Sequence, residues 1–422
     1  MTKFPLNNAA QWVEAFGSPL YVYDAKTIRG QYFRMKQAFD PTIDVGIHYA
    51  CKALNNLTVL RLMRRLGAGL DAVSLGEIEL GLRAGFRPDQ ILYTPNGVGI
   101  YEIKEAVEIG VQINIDNLET LEEFANEFGS TVPVCVRINP HIMAGGNTKI
   151  SVGHIDSKFG ISIHQIRHLH RIVHNMGLHV HGLHMHTGSD ILDIDAFMRG
   201  ADLLMDLAHD FKELAYIDFG SGFKVGYRPG ETATDIESFG EKMSVRFKEF
   251  CLEYGRDLKL IFEPGKFLVS EAGIFIAKVN STKTTPSTVF AQVNSGFNHF
   301  PRPMMYDAYH HIENLSHPHG ELRLYTIVGY VCETDTFGYD RKLNEVRNGD
   351  LLAFHNAGAY CSSMGSQYNS RVRPAEVLLE GDQPYLIRKR ETIDDLLRGT
   401  VEHGLYQDTH ELVREEAEIA VP

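Results

Sequence analysis

Apolar and polar positions along the first two thirds of the chain alternate in a repeating way. Short runs rich in β-branched and aromatic residues are separated by longer stretches whose apolar residues recur every three or four positions. That is the pattern of buried strands alternating with amphipathic helices. Strands are predicted at 44–50 (DVGIHYA), 68–74 (AGLDAVS), 90–94 (QILYT), 111–116 (VQINID), 132–139 (VPVCVRIN), 179–186 (HVHGLHMH), 215–220 (AYIDFG) and 258–264 (LKLIFEP). Eight strands with helices between them suit a (β/α)8 barrel. Polar and glycine-rich residues cluster at the strand ends (CKA, VSLGE, NP, HTGS, FGSGF, EPGK). In a barrel those ends build the site, whereas a doubly wound sheet would gather its ligand contacts at one crossover.

Beyond about residue 270 the period changes. Runs such as GIFIAKVN, STVFAQVNSG, RLYTIVGYVC and DLLAFHNAGAY alternate with turns, and helix patterns become scarce. This predicts a mainly β second domain, a sandwich or barrel. PLYVYDAKTI, ahead of the first barrel strand, is strand-like and is assigned to that domain. The expected division is a barrel over 28–268 and a β domain over 1–27 plus 269–422, with a surface helix in the acidic tail after Gly399.

At 422 residues the chain exceeds one ordinary core. No apolar run reaches the length of a membrane span, and MTKFPLNNAAQWVEAFG has neither the basic start nor the apolar stretch of a secretion signal. The five cysteines are scattered and never spaced CxxC, which disfavours a disulfide framework or zinc ribbon and fits a reducing compartment. The expected location is cytoplasmic, with no membrane partner. A formal charge of −13 argues against nucleic acid, whose binders need a basic face. Small molecules are the expected ligands.

Several strand ends carry candidate chemistry. Lys52 in YACKAL follows the first strand among small and apolar residues. Desolvation there would lower its pKa and favour attack on a carbonyl; a surface lysine opening a helix is the alternative. DFGSGF (Gly220, Ser221, Gly222) and HTGSD (Gly188, Ser189) are either ordinary tight turns or the two halves of an anion cup. Neither matches GxxxxGK[ST] or GxGxxG. FEPGKF ends the eighth strand with Glu263, and a carboxylate aimed into a barrel mouth needs a cationic partner. In HVHGLHMHTGSD, strand parity puts His184 and His186 on one face and His179 and His181 on the other, unless Gly182 introduces a bulge. Two histidines on a face fall short of a zinc site, so no metal is expected. A flat imidazole beside a glycine turn suits stacking on an aromatic ligand. Arg302, held between two prolines, is a candidate carboxylate clamp, with Tyr306, Cys332, Glu333, Tyr360 and Tyr368 as further candidates in the β domain.

YACKA, GLDAVSLGEI, SKFGI, GLHMHTGS, IDFGSGF, EPGK, RPMMY, VCETD and GAYCSSMGSQYNSRVRPAEVL occur in this order. Over about residues 18–398 the chain thereby resembles the diaminopimelate decarboxylases, pyridoxal 5′-phosphate (PLP) enzymes of the alanine racemase-like fold. The resemblance implies that Lys52 links covalently to PLP, His186 stacks on its ring, and Glu263 pairs with the protonated ring nitrogen. Gly220, Ser221 and Gly222, with Ser189, would hold the phosphate, and Pro264, Gly265, Lys266 and Tyr368 would complete the cofactor contacts. It further implies that Cys332 protonates the carbanion left by decarboxylation, that Lys266, Arg302, Tyr306, Glu333 and Tyr368 bind substrate, and that a homodimer shares its sites. The implied reaction is meso-2,6-diaminopimelate to L-lysine and carbon dioxide. The alternatives are a related decarboxylase of carboxynorspermidine, ornithine or arginine, or a non-catalytic PLP-binding homologue. Ornithine and arginine decarboxylases carry an acidic residue where this chain has Arg302, which favours a substrate with a distal carboxylate. Lys266 stands where the family usually has arginine.

Overall fold

A computed structural model describes residues 4–142, 157–333 and 335–403. Strand β1 (Leu20–Asp24) precedes a barrel formed by β2 (Val45–Ala50), β3 (Gly69–Ala72), β4 (Ile91–Tyr93), β5 (Gln112–Ile115), β6 (Val134–Asn139), β8 (Val180–Met185), β9 (Tyr216–Asp218) and β10 (Lys259–Phe262). The parallel order β5-β4-β3-β2-β10-β9-β8-β6 is closed by pairing of β5 with β6. These strands are buried nearly end to end, as expected where helices cover the outside and side chains fill the inside. The helices start and stop where the sequence says they should. In Leu75–Ala84, for example, the Ser74 hydroxyl accepts the Glu77 N–H and left-handed Gly85 ends the helix.

All eight predicted strands form, each shorter than predicted: six lose residues at both ends, and β2 and β6 only at their N-terminal ends. One further strand, β7 (Ile161–Ser162), pairs with β6. Two residues are too few to show a hydrophobic period, so β7 has no sequence signal of its own. A bulge does interrupt the histidine strand: Val134 pairs with Val180 but Cys135 with Gly182, leaving His181 as the extra residue.

The β domain contains β11 (Gly273–Thr284), β12 (Val289–Val293), β13 (Ile312–Asn314), β14 (Leu322–Val328), β15 (Thr336–Asn344), β16 (Leu351–Phe354), β17 (Ala375–Glu380) and β18 (Gln383–Arg388). Its sheet runs β15-β14-β12-β11-β1-β17-β18, with β16 pairing both β11 and β13. β1 lies antiparallel to β11 and parallel to β17, so the N-terminal strand is built into this sheet. A helix at Ile393–Leu397 precedes the acidic tail, most of which lies outside the described residues. Among the described residues no helix is long and apolar enough to cross a membrane.

A buried carboxylate ties the two parts together. Glu376 on β17 accepts hydrogen bonds from Asn56 Nδ2 of the barrel (3.2 Å), from Ser362 Oγ (2.6 Å) and from Arg388. Removing it strands a guanidinium and two polar partners. Glu376→Ala is expected to lower stability by about 3 kcal/mol, read as a reduced denaturant midpoint. An unchanged midpoint would show that Glu376 does not hold the barrel to the sheet.

Candidate active site

A cavity of about 400 Å³ opens at the C-terminal ends of the barrel strands, the end where βα loops build a site. Lys52, two residues past β2, projects into it with its side chain 48% exposed and its Nζ 3.6 Å from Asp71 Oδ2. The lowered lysine pKa expected from the sequence does not occur. Desolvation does depress it, but the charge of Asp71, with Tyr360 and Glu263, outweighs burial and raises Lys52 above its ordinary value. Burial and the Glu263 charge in turn push Asp71 up to about 7, against the pull of Lys52.

The floor of the cavity is a buried polar cluster. His184 Nε2 lies 3.2 Å from Glu263 Oε2, while its Nδ1 accepts from Asn114 Nδ2 at 2.7 Å, which leaves the ring proton on Nε2. Asp218 accepts the Gly220 N–H at 2.8 Å. Burial and the neighbouring Glu263 raise Asp218 far above the usual carboxylate range. Burial opposes ionisation of Glu263 as well, but His184 and Lys52 overcome it and hold that carboxyl low. The two carboxyls are thus pushed in opposite directions, Asp218 toward its protonated form and Glu263 toward its ionised one. His184, Asp218 and Glu263 bring ligand atoms within 4.8 Å of one another. Strand parity within one run had counted only the histidines, and the two carboxylates arrive from β9 and β10.

His186 sits above this floor on the cavity wall. Its Nδ1 accepts the Ser221 N–H at 3.2 Å, and burial, with the charges of Arg137 and Lys52, holds it neutral. The two glycine turns converge beside it. Ile191 N–H donates to Gly222 O at 2.9 Å, and Ser189, Ser221 and Gly222 all line the cavity. Gly222 has φ +127°, and a Cβ there would stand 2.0 Å from Gly188 O. Backbone without side chains is what lets the two turns form one concave surface. His179 and His181 are not on this wall: His179 lies 3.5 Å from Glu213 and His181 packs edge-on against Tyr216.

The remaining candidates divide. Gly265 and Lys266 line the cavity; Pro264 and Gly220 lie behind it, their carbonyls accepting the N–H groups of Ala50 and Glu263. Lys266 is buried and ion-paired with Asp190, a partner the sequence did not suggest. Arg302 is buried near Asp190, Tyr360 and Lys266, and Tyr306 flanks its guanidinium. Tyr360, rather than Tyr368, lines the cavity. Tyr368 is 39% exposed and donates to Glu333, which together with Cys332 is exposed and outside this cavity. Asp71, Arg137 and His184 were missed. Each interrupts an apolar barrel strand with a charged or polar residue, the signal that did single out Glu263.

A flat heteroaromatic ring bearing a phosphate fits this donor set. Glu263 Oε1 is buried without a hydrogen-bond partner, placed for a protonated ring nitrogen. His186 supplies a neutral imidazole face, and the glycine cup a phosphate site.

The family model described as pyridoxal-dependent decarboxylase, pyridoxal binding domain, matches residues 25–270. A diaminopimelate decarboxylase of Methanothermobacter thermautotrophicus is 40% identical over 93% of this chain and 94% of its own. One of Vibrio cholerae is 36% identical over 92% and 93%. The crystal structure of diaminopimelate decarboxylase from Helicobacter pylori complexed with L-lysine superposes with a TM-score of 0.84, at 33% identity over 93% of this chain and 98% of that one.

Gly222→Ala is expected to weaken PLP binding at least tenfold, about 1.4 kcal/mol, in an absorbance titration while far-UV circular dichroism is unchanged. Wild-type affinity in the variant would rule out the glycine cup as the phosphate site.

Proposed function

We infer, for a chain that belongs to the diaminopimelate decarboxylases of the pyridoxal-dependent decarboxylase family, that this cavity converts meso-2,6-diaminopimelate to L-lysine and carbon dioxide. The observation that carries this is the convergence of Lys52, His186 and Glu263 on one cavity beside a glycine cup. PLP, when bound, supplies the electron sink for the pair left behind as the carboxylate departs. Lys52 is the amine that would hold its aldehyde carbon. Glu263, ionised in its buried cluster, would hold a proton on the ring nitrogen, and His186 would fix the ring plane. Ser189, Ser221 and Gly222 would take the phosphate, with Gly220 shaping the turn from behind the cavity.

Substrate choice follows from charge. Lys266 is already paired with Asp190, whereas Arg302 has no carboxylate partner among the described residues, and we assign its guanidinium to a distal carboxylate. Ornithine and arginine lack that group. Cys332, Glu333 and Tyr368 lie together on an exposed surface away from the cavity. This arrangement supports a homodimer in which each subunit lends Cys332 as proton donor, Glu333 as acceptor for the distal ammonium, and Tyr368 to the other's site. The five free cysteines support a reducing, cytoplasmic setting.

Two measurements check these roles. Carbon dioxide release is expected from meso-diaminopimelate and not from ornithine, arginine or carboxynorspermidine, with the visible absorbance of bound PLP lost in Lys52→Ala. No turnover of diaminopimelate would sink the substrate assignment, and a retained band in the variant would sink the role of Lys52. Dimers reassembled from mixed Lys52→Ala and Cys332→Ala subunits should regain activity that neither parent has. No gain on mixing would place Cys332 in its own subunit's site or outside catalysis.

A further inference from the structure

Arg302 is aimed by a single hydrogen bond. Its Nε–H donates to His310 Nε2 at 3.3 Å, and its guanidinium lies 5.0 Å from the Tyr227 ring centroid. Among the described residues neither Nη group has a hydrogen bond or a carboxylate partner, and neither is sealed from solvent. A guanidinium held through Nε alone presents its two Nη groups together, the edge that grips a carboxylate in bidentate fashion.

His310 is built to be that acceptor. It is fully buried, and its Nδ1 donates to the His355 carbonyl at 2.8 Å, which leaves the Nε2 lone pair free for Arg302. Phe300 packs edge-on at 4.7 Å and Tyr227 at 5.1 Å, so the ring cannot swing away. Arginine at 302 with an apolar residue at 310 would leave a buried Nε–H unsatisfied and the guanidinium free to turn toward Asp190. Asp190 already holds Lys266, so such a turn would draw Arg302 away from a substrate carboxylate.

We propose that His310 is a positioning residue that fixes the orientation of Arg302 and thereby selects substrates and products carrying a carboxylate at the end remote from the reacting carbon. This rests on Arg302 being the carboxylate clamp of the proposed decarboxylase. His310 touches neither substrate nor cofactor; it acts through Arg302.

The test uses PLP-loaded enzyme and calorimetric binding of L-lysine, which keeps the distal carboxylate, against cadaverine, which lacks it. His310→Phe preserves the ring shape and removes the acceptor; His310→Gln restores an acceptor. His310→Phe should weaken L-lysine about tenfold or more, the effect of losing one charge-assisted hydrogen bond, and raise KM for diaminopimelate more than it lowers kcat. Cadaverine binding and the PLP absorbance band should be unchanged, and His310→Gln should recover most of the L-lysine affinity. L-lysine binding by His310→Phe within twofold of wild type would overturn the proposal. So would an equal loss for cadaverine, or loss of the PLP band in both variants, since either marks a purely structural residue. A wild-type enzyme that binds no L-lysine and decarboxylates no diaminopimelate would instead sink the proposed function itself.

Discussion

The site depends on a carboxylate that the barrel buries and keeps charged. Glu263 stands at the end of β10 with little access to solvent, where an unpaired charge would be intolerable. Its neighbours resolve the problem unevenly. His184 approaches one oxygen, Asp218 takes the proton that burial would force onto the pair, and Lys52 adds a favourable field. The other oxygen is left without a partner. A buried acceptor left open in this way is a built-in demand for a cationic donor, and a protonated ring nitrogen satisfies it. The same oxygen would both specify the cofactor's orientation and keep its ring electron-poor, so that binding and chemistry would share one electrostatic cause.

Neighbouring groups follow from the same constraint. Asp71 and Glu263 hold Lys52 as an ammonium before the cofactor arrives, which suits a residue that must sit in a half-open cavity without a permanent hydrogen-bond partner. Lys266 is matched by Asp190, and Arg302 is oriented by a neutral histidine instead of a carboxylate. Lys52 is likewise matched by Asp71, while among the described residues the two Nη groups of Arg302 have no carboxylate partner. Where the two glycine turns meet, a Cβ on Gly222 would collide with the Gly188 carbonyl, so only bare backbone fits at that position.

The barrel was legible because burial on both faces writes continuous apolar runs, and the polar breaks at the run ends marked the βα loops. The eight strands, the glycine cup, Lys52, His186 and Glu263 could all be located that way. What stayed hidden depends on pairing across distant strands. Nothing local to HTGSD and EPGK says that Asp190 and Lys266 meet, and nothing local to YACKA says that Asp71 raises the lysine that desolvation would lower. The division of roles between Tyr360 and Tyr368 is likewise a matter of chain path. Eight residues apart, one turns into the cavity and the other out toward Glu333. The charged residues interrupting apolar strands, Asp71, Arg137 and Asp218, were the readable signal that the sequence pattern left unused.

Everything proposed for the site turns on an ionised Glu263 that would hold a proton on the cofactor ring. The 15N chemical shift of the ring nitrogen in enzyme loaded with ring-15N PLP reads that proton directly. At neutral pH the wild type should show a protonated nitrogen and Glu263→Gln an unprotonated one. An unprotonated nitrogen in the wild type would contradict the account.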